Sequence, residues 1–314
     1  MKELLLKNKI IVVTGGNGFL GKHLVAELKK EEVKEIIIPS SKDYDLRRPD
    51  VCARLFKNTD VVIHLAANVG GIGYNQEHPA ELFYDNILMG VHAMHEAWKA
   101  GVQKFVALGT ICAYPKFTPV PFKEKDIWNG YPEETNAPYG LAKKMLLVQS
   151  AAYRKQYGFN AIFLLPTNLY GPGDKFDPKV SHVIPALIKK FCDAKSTNVS
   201  EVDIWGTGTP TREFLYVEDA AKGIVLATKK YNKANPVNLG SNLEISIGEL
   251  ARLIAKLVDF QGEIIFDHTK PDGQPKRKID SRLAEREFGF KSTVDFNVGL
   301  KKTIEWYMGI KNAQ

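Results

Sequence analysis

The chain has 314 residues, enough for one large α/β domain or two modest ones, and its 44% hydrophobic and 25% charged residues are an ordinary soluble composition. The formal net charge is +7, but basic residues are scattered among acidic ones rather than gathered in a stripe, which argues against nucleic acid as a partner. Cys52, Cys112 and Cys192 are too far apart for a CxxC metal pair or a disulfide framework, and no apolar run approaches the ~20 residues of a membrane helix. No metal site and no membrane partner are therefore expected. The amino terminus shows no signal segment before the first apolar run, and the expected location is cytoplasmic.

In chain order, the run 9–14 predicts a β-strand. It passes directly into Thr14-Gly15-Gly16-Asn17-Gly18-Phe19-Leu20-Gly21, which opens a helix predicted over 19–30. Glycines at a strand–turn–helix junction let the backbone approach a pyrophosphate, whose charge sits at the helix amino terminus. Gly15, Gly18, Phe19, Leu20 and Gly21 are accordingly candidate dinucleotide-binding residues. A second strand, predicted over 35–38, runs out into Ser40-Ser41-Lys42 before any carboxylate. Two hydroxyls and an ammonium suit a ribose 2′-phosphate better than a bare ribose, so NADP(H) is the expected cofactor, with NAD(H) as the alternative.

Strands over 60–65, 104–108 and 161–165 then alternate with helices over 79–100 and 138–157. Asn136-Ala137-Pro138 starts the last helix and Gly158 stops it. The alternation predicts βαβ units, hence an α/β fold with a Rossmann-like, doubly wound parallel sheet. Beyond 168–173 the rhythm breaks into short strands, turns and helices, with 213–217 and 237–239 expected to return to the main sheet. The expected division is 1–173, joined by 213–240, for the dinucleotide, and 174–314 as a smaller, partly interleaved substrate domain. The connection 115–135 carries four prolines and Trp128, and loops of this length in compact domains are often functional.

That loop joins two reactive segments. Tyr139 and Lys143 are four residues apart on one predicted helix face. An ammonium beside a phenol favours the phenolate, which lets the phenol exchange a proton near neutral pH. Thr110, at the carboxyl end of the strand 104–108, is placed to hydrogen-bond a carbonyl oxygen under reduction. Reduction has no use for the thiol of Cys112, two residues on. Cys112 therefore points to a second chemistry in the same pocket.

The chain resembles the extended short-chain dehydrogenases/reductases, and within them the GDP-L-fucose synthase group. The resemblance spans nearly the whole chain and rests on segments 66–72, 110–116, 166–172, 181–187, 205–216 and 270–273. It implies 3,5-epimerisation of GDP-4-keto-6-deoxy-D-mannose followed by NADPH-dependent reduction at C-4, giving GDP-L-fucose. In that scheme Cys112 takes the C-3 and C-5 protons, His182 returns protons on the opposite face, and Tyr139 donates to the reduced C-4 oxygen. A C-4 ketone acidifies both α-hydrogens, and a thiolate and an imidazole are competent near neutral pH.

The resemblance further implies cofactor contacts from Ala66, Tyr139, Lys143, Pro166, Asn168, Leu169 and His182. It places Arg212 on the diphosphate, and Asn168, Val183, Lys190, Trp205, Lys270 and Asp272 around the GDP-sugar. It also implies a homodimer in which the helices 79–100 and 138–157 pair across a two-fold axis through Leu82, Phe83, Ile87, Met94, Leu146 and Leu147. Two other readings remain open: a related GDP-sugar reductase or epimerase acting on another deoxy-hexose or a heptose, and a non-catalytic dinucleotide sensor. A sensor has no need of Thr110, Tyr139 and Lys143 together.

Overall fold

A computed structural model describes residues 3–178, 180–270 and 272–312, leaving Pro271 of the 270–273 segment outside the described residues. The chain opens with β1 (Ile10–Thr14), α1 (Phe19–Leu28), β2 (Glu35–Ile37), α2 (Pro49–Leu55) and β3 (Val61–His64). It continues through α3 (Ile72–Glu77), α4 (Pro79–Lys99), β4 (Lys104–Leu108), α5 (Ala137–Tyr157), β5 (Ala161–Pro166) and β6 (Asn168–Tyr170). Pro79 fills the first turn of α4, where its missing N–H costs nothing, and Gly158 ends α5 in the left-handed conformation at φ 67°.

Six parallel strands form the main sheet, the first five of these joined by a strand from much later in the chain, described below. β1 lies between β2 and β3, so the strand order reverses beside it, and ligands of open α/β sheets bind at such a point, outside the carboxyl ends of the strands. The strands are nearly continuous apolar runs because both faces are covered. Leu20, Leu24 and Val25 of α1 cover one face, and Cys52, Met94 and Leu146, from α2, α4 and α5, cover the other. A side chain at Gly90 would come within 2.4 Å of Leu146, so a glycine lets α4 and α5 lie close together.

The second half supplies α6 (Val183–Ser196), β7 (Glu201–Trp205), β8 (Thr211–Tyr216), α7 (Val217–Lys230), β9 (Val237–Leu239) and β10 (Glu244–Ser246). It ends with α8 (Ile247–Val258), β11 (Glu263–Asp267), β12 (Lys276–Arg277), α9 (Arg282–Phe288) and α10 (Phe296–Asn312). As expected for 237–239, β9 completes the main sheet beside β5. The expectation for 213–217 is corrected. β8 pairs with β6, β10 and β12 in a separate four-stranded sheet, because β9 occupies the edge beside β5 and because Phe214 and Tyr216 pack into a second apolar core with Ile184, Leu250 and Leu300. The helix that follows, α7, does return, and its Ala220 and Ile224 share the core under α1.

The two sheets are tied at β8 by one residue. The Glu213 carboxylate, fully buried, accepts hydrogen bonds from the backbone N–H groups of Ser241 (2.7 Å), Asn242 (2.9 Å) and Ile279 (2.8 Å). Its carbonyl accepts from Asn168 Nδ2 (2.9 Å) and Thr167 Oγ1 (3.2 Å), just past β5. A buried carboxylate without such donors would cost several kcal/mol, roughly. A second correction concerns the residues expected between copies of the chain. Leu82, Met94, Leu146 and Leu147 are buried within it, whereas Phe83, Tyr84, Val148 and Tyr157 stand exposed on α4 and α5.

Candidate active site

At the carboxyl end of β1, Gly15 adopts φ 72°, and a Cβ there would lie 2.9 Å from the amide nitrogen of Ala66 beyond β3. A Cβ on Gly21 would meet the Gly15 carbonyl oxygen at 2.2 Å, so α1 reaches the turn only with glycine at that position. Gly18 caps α1 without any side-chain hydrogen bond, and its first turn, Phe19-Leu20-Gly21, carries no carboxylate. The free N–H groups at that end form a ready anion site, and the residues present fit a dinucleotide pyrophosphate. Thr14 Oγ1 binds His64 Nδ1 (2.9 Å) and the Ala66 amide (3.3 Å), locking the ends of β1 and β3 together.

The turn after β2 holds Ser40, Ser41 and Lys42, with Ser40 Oγ accepting from the Lys42 amide at 3.3 Å. Arg47, further along, is already committed to Asp45 and Asp85. The Lys42 ammonium has no partner among the described residues and is the cation left at this turn.

Thr110 leaves β4 in extended conformation, and its hydroxyl accepts the Cys112 amide at 3.2 Å, starting a single 3-10 turn that presents the thiol. Helix α5 lies against this turn because Gly140 has no side chain; a Cβ there would sit 2.4 Å from the Cys112 carbonyl oxygen. Tyr139 is thereby brought to Thr110 and into electrostatic reach of Cys112, with Lys143 one turn further along the helix. Burial pushes the Tyr139 phenol up, negative charge on Cys112 pushes the same way, and a hydrogen bond with Thr110 opposes both. Burial lowers Lys143 to about 8. Burial thus keeps the Tyr139 phenol protonated, with an amine that titrates at about 8 one turn along the helix.

Arg212, on β8, donates to the carbonyls of Thr211 (2.8 Å) and Gln274 (2.7 Å). Burial and then Arg277 lower it to about 10, opposed by Asp272 and by charge on Cys112, so it stands within electrostatic reach of the sulfur. Asn168 and Leu169 lie on β6 just beyond Pro166, the last residue of β5. A third group lies beyond β7: Lys270 Nζ rests 5.7 Å from the centre of the exposed Trp205 ring, and Asp272 accepts from Thr207 N (2.6 Å) and Oγ1 (2.8 Å). Lys190 is spent on the Asp203 carbonyl (2.8 Å), the bland role of a helix-surface lysine.

His182 caps α6, with Val183 as the first helical residue. Desolvation and then Lys175 lower its pKa, which leaves the imidazole neutral at pH 7. The segment 180–182 meets the loop before α3, since a Cβ on Gly71 would come within 2.8 Å of the Ser181 carbonyl oxygen. From α3 the path continues to the thiol. Asn75 Nδ2 donates to Asn136 Oδ1 (3.2 Å), and the Cys112 Sγ lies 3.8 Å from that same oxygen. Asn136 is held in turn by Glu133, which accepts from its side-chain and main-chain nitrogens and from the Thr135 amide (3.1 Å) and hydroxyl (2.7 Å). Sequence reasoning missed Asn75, Glu133 and Asn136. An Asn just ahead of a helix reads as an ordinary cap, and the only signal was its place three residues ahead of Tyr139. The surface hollows at Leu5–Glu32 and Arg47–Asp85 contain none of the reactive groups.

Comparison with known proteins meets this geometry. The family described as NAD dependent epimerase/dehydratase matches residues 11–240. The chain belongs to that family. A GDP-L-fucose synthase of Sinorhizobium fredii is 40% identical over 311 residues, covering 98% of each chain. The crystal structure of a GDP-L-fucose synthetase from Naegleria fowleri bound to NADP superposes with a TM-score of 0.89 at 30% identity, over 99% of this chain and 98% of that one. A GDP-6-OMe-4-keto-L-xylo-heptose reductase from C. jejuni gives a TM-score of 0.90 at 26% identity, over 96% and 98%. The epimerase/dehydratase match runs from β1 through β9 and so takes in the glycine turn, Thr110, Cys112, Tyr139, Lys143 and Arg212.

Proposed function

We propose that the protein is an NADPH-dependent epimerase/reductase that converts GDP-4-keto-6-deoxy-D-mannose to GDP-L-fucose. The observation that carries this reading is the pairing, on one 3-10 turn packed on α5, of a thiol with a hydroxyl–phenol–amine group. Two chemistries then share one pocket. Gly15, Gly18 and Gly21 with the first turn of α1 hold the pyrophosphate, Ser40, Ser41 and Lys42 the 2′-phosphate, and Ala66, Pro166, Asn168 and Leu169 the remainder of the cofactor. Bound NADPH supplies a hydride to C-4.

The chain's own residues do the rest. Thr110 and Tyr139 hydrogen-bond the C-4 carbonyl oxygen, which acidifies the hydrogens at C-3 and C-5. The Cys112 thiolate removes each of these in turn, and His182 returns a proton to the opposite face. A neutral imidazole must first take a proton from solvent, and the phosphates of the ligands raise its affinity for one. Tyr139 finally gives its proton to the C-4 oxygen, a task suited to a phenol kept protonated by burial. Arg212 holds the diphosphate, and Trp205 with Lys270 and Asp272 flanks the nucleoside. Residues 1–173 with 217–240 form the dinucleotide part, and the rest forms the sugar-nucleotide part. The active form is a homodimer in the cytoplasm.

A second reading, action on another GDP-sugar such as a heptose, is favoured by the likeness to the heptose reductase fold. The test is incubation with GDP-4-keto-6-deoxy-D-mannose and NADPH in deuterated water, followed by NMR. The expected product is GDP-L-fucose deuterated at C-3 and C-5. Cys112→Ser should abolish that exchange while sparing reduction of a suitable ketone, and Tyr139→Phe should abolish reduction while Thr110 sustains part of the exchange. Wild-type exchange in Cys112→Ser would end the epimerase assignment.

A further inference from the structure

Asn is among the best helix caps, yet Asn136, the residue at the cap position of α5, makes no side-chain bond to its own helix. A local rule broken in this way marks a side chain engaged elsewhere. Its amide faces Glu133 on one side and the Cys112 sulfur on the other. Glu133 is partly buried, which by itself would raise its pKa, but bonds from Thr135 and Asn136 outweigh this and hold it low, so it is a carboxylate. A carboxylate only accepts hydrogen bonds. The amide nitrogen must therefore face Glu133, and the amide oxygen must face the sulfur. Asn75 reinforces that choice by donating to the same oxygen. The orientation of this amide, ambiguous for most Asn residues, is settled by its neighbours.

An acceptor held against a sulfur binds the S–H form and gives nothing to the thiolate. We propose that Glu133 and Asn136 are positioning residues that hold the Cys112 thiol oriented in the site through the Asn136 amide oxygen. The inference rests on the reading of Cys112 as the group that takes the substrate's α-protons. The held proton leaves to the water of the open site when the thiolate forms. The other titratable and charged groups that act on the sulfur are the Tyr139 phenol on α5 and the Arg212 guanidinium on β8.

The experiment follows the rate of Cys112 alkylation by iodoacetamide against pH in the full-length protein without substrate, with the modified site read by mass spectrometry. Cys52 and Cys192 are buried. Asn136→Ala and Glu133→Ala should each raise the alkylation rate about three- to tenfold at a fixed pH, as the acceptor that holds the thiol is removed. Because Glu133 acts through Asn136, the double variant should gain no more than Asn136→Ala alone. Profiles superimposable on wild type would overturn the proposal. So would a double variant whose rate rises by the product of the two, which would mean that Glu133 acts by its charge alone. Deuterium exchange into substrate is measured in parallel and should fall in both variants as the sulfur loses its orientation. Alkylation is read without substrate, so its failure leaves the role of Cys112 in proton transfer standing, while exchange persisting in Cys112→Ser would leave the alkylation result untouched.

Discussion

Lys143 shows how the site trades stability for chemistry. Its amine, held at about 8 by burial, binds its proton less tightly folded than unfolded, where the ordinary value is 10.5. Between those values the unfolded chain carries more protons, so stability rises with pH across that window, and the cost of burial is fully present below it. Lys143→Met should therefore stabilise the cofactor-free protein at pH 7 by on the order of 1–3 kcal/mol, while lowering ketone reduction about a hundredfold or more. Thermal melts at pH 7 and pH 9.5 check this, and the gap between variant and wild type should narrow at the higher pH. A variant that melts below wild type at pH 7 would show that the ammonium is stabilised rather than penalised. Cofactor choice is also decided by single residues. Lys42 alone supplies charge at the turn after β2, and one lysine grips a phosphate less firmly than an arginine fork. NADPH should be preferred to NADH by roughly tenfold in kcat/KM, a preference that Lys42→Ala largely removes and Ser40→Asp inverts. A wild-type preference for NADH that Lys42→Ala does not change would mean that the turn reads ribose hydroxyls instead.

Among the elements, α5 matters most, because it brings Tyr139 to Thr110 and Cys112 and carries Lys143 one turn further on. The approach depends on Gly140, where backbone rather than a flexible side chain lies 2.4 Å from a built Cβ. Gly140→Ala must push the helix back from the 3-10 turn. Both exchange and reduction should fall about tenfold or more, since misplacement by an ångström costs that much or more, whereas NADPH binding to α1, measured by fluorescence, should hardly change. Equal losses in binding and turnover would instead indicate general misfolding. The βαβ half of this arrangement was legible in the sequence because its strands are buried on both faces and its helices are long. The second sheet was not. β6, β10 and β12 have three, three and two residues, too few for any period, and their pairing is decided by packing around Phe214 and Tyr216. Tyr139, Lys143, Thr110 and Cys112 stood out because their types and spacing carry chemistry. Asn75, Glu133 and Asn136 act through each other across some sixty residues, which no local pattern reveals.

For the molecule as a whole, the outer faces of α4 and α5 expose Phe83, Tyr84, Val148 and Tyr157, with Trp98 stacked on Tyr157 at 4.0 Å between ring centres. A pair of such faces related by a two-fold axis buries them both. The protein should sediment as a dimer at micromolar concentration, and Phe83→Asp with Val148→Asp should give monomers without loss of the folded circular dichroism spectrum. A wild-type mass that stays monomeric at all concentrations would leave those aromatic residues as plain surface. The Glu213 tie acts at the same scale. With its carboxylate fastening the loops at 241–242 and 279, and its carbonyl fastening Thr167 and Asn168, the main sheet and the second sheet share a riveted base. Fastened there, the two halves are expected to hold one set spacing, as the jaws of a fixed gauge do.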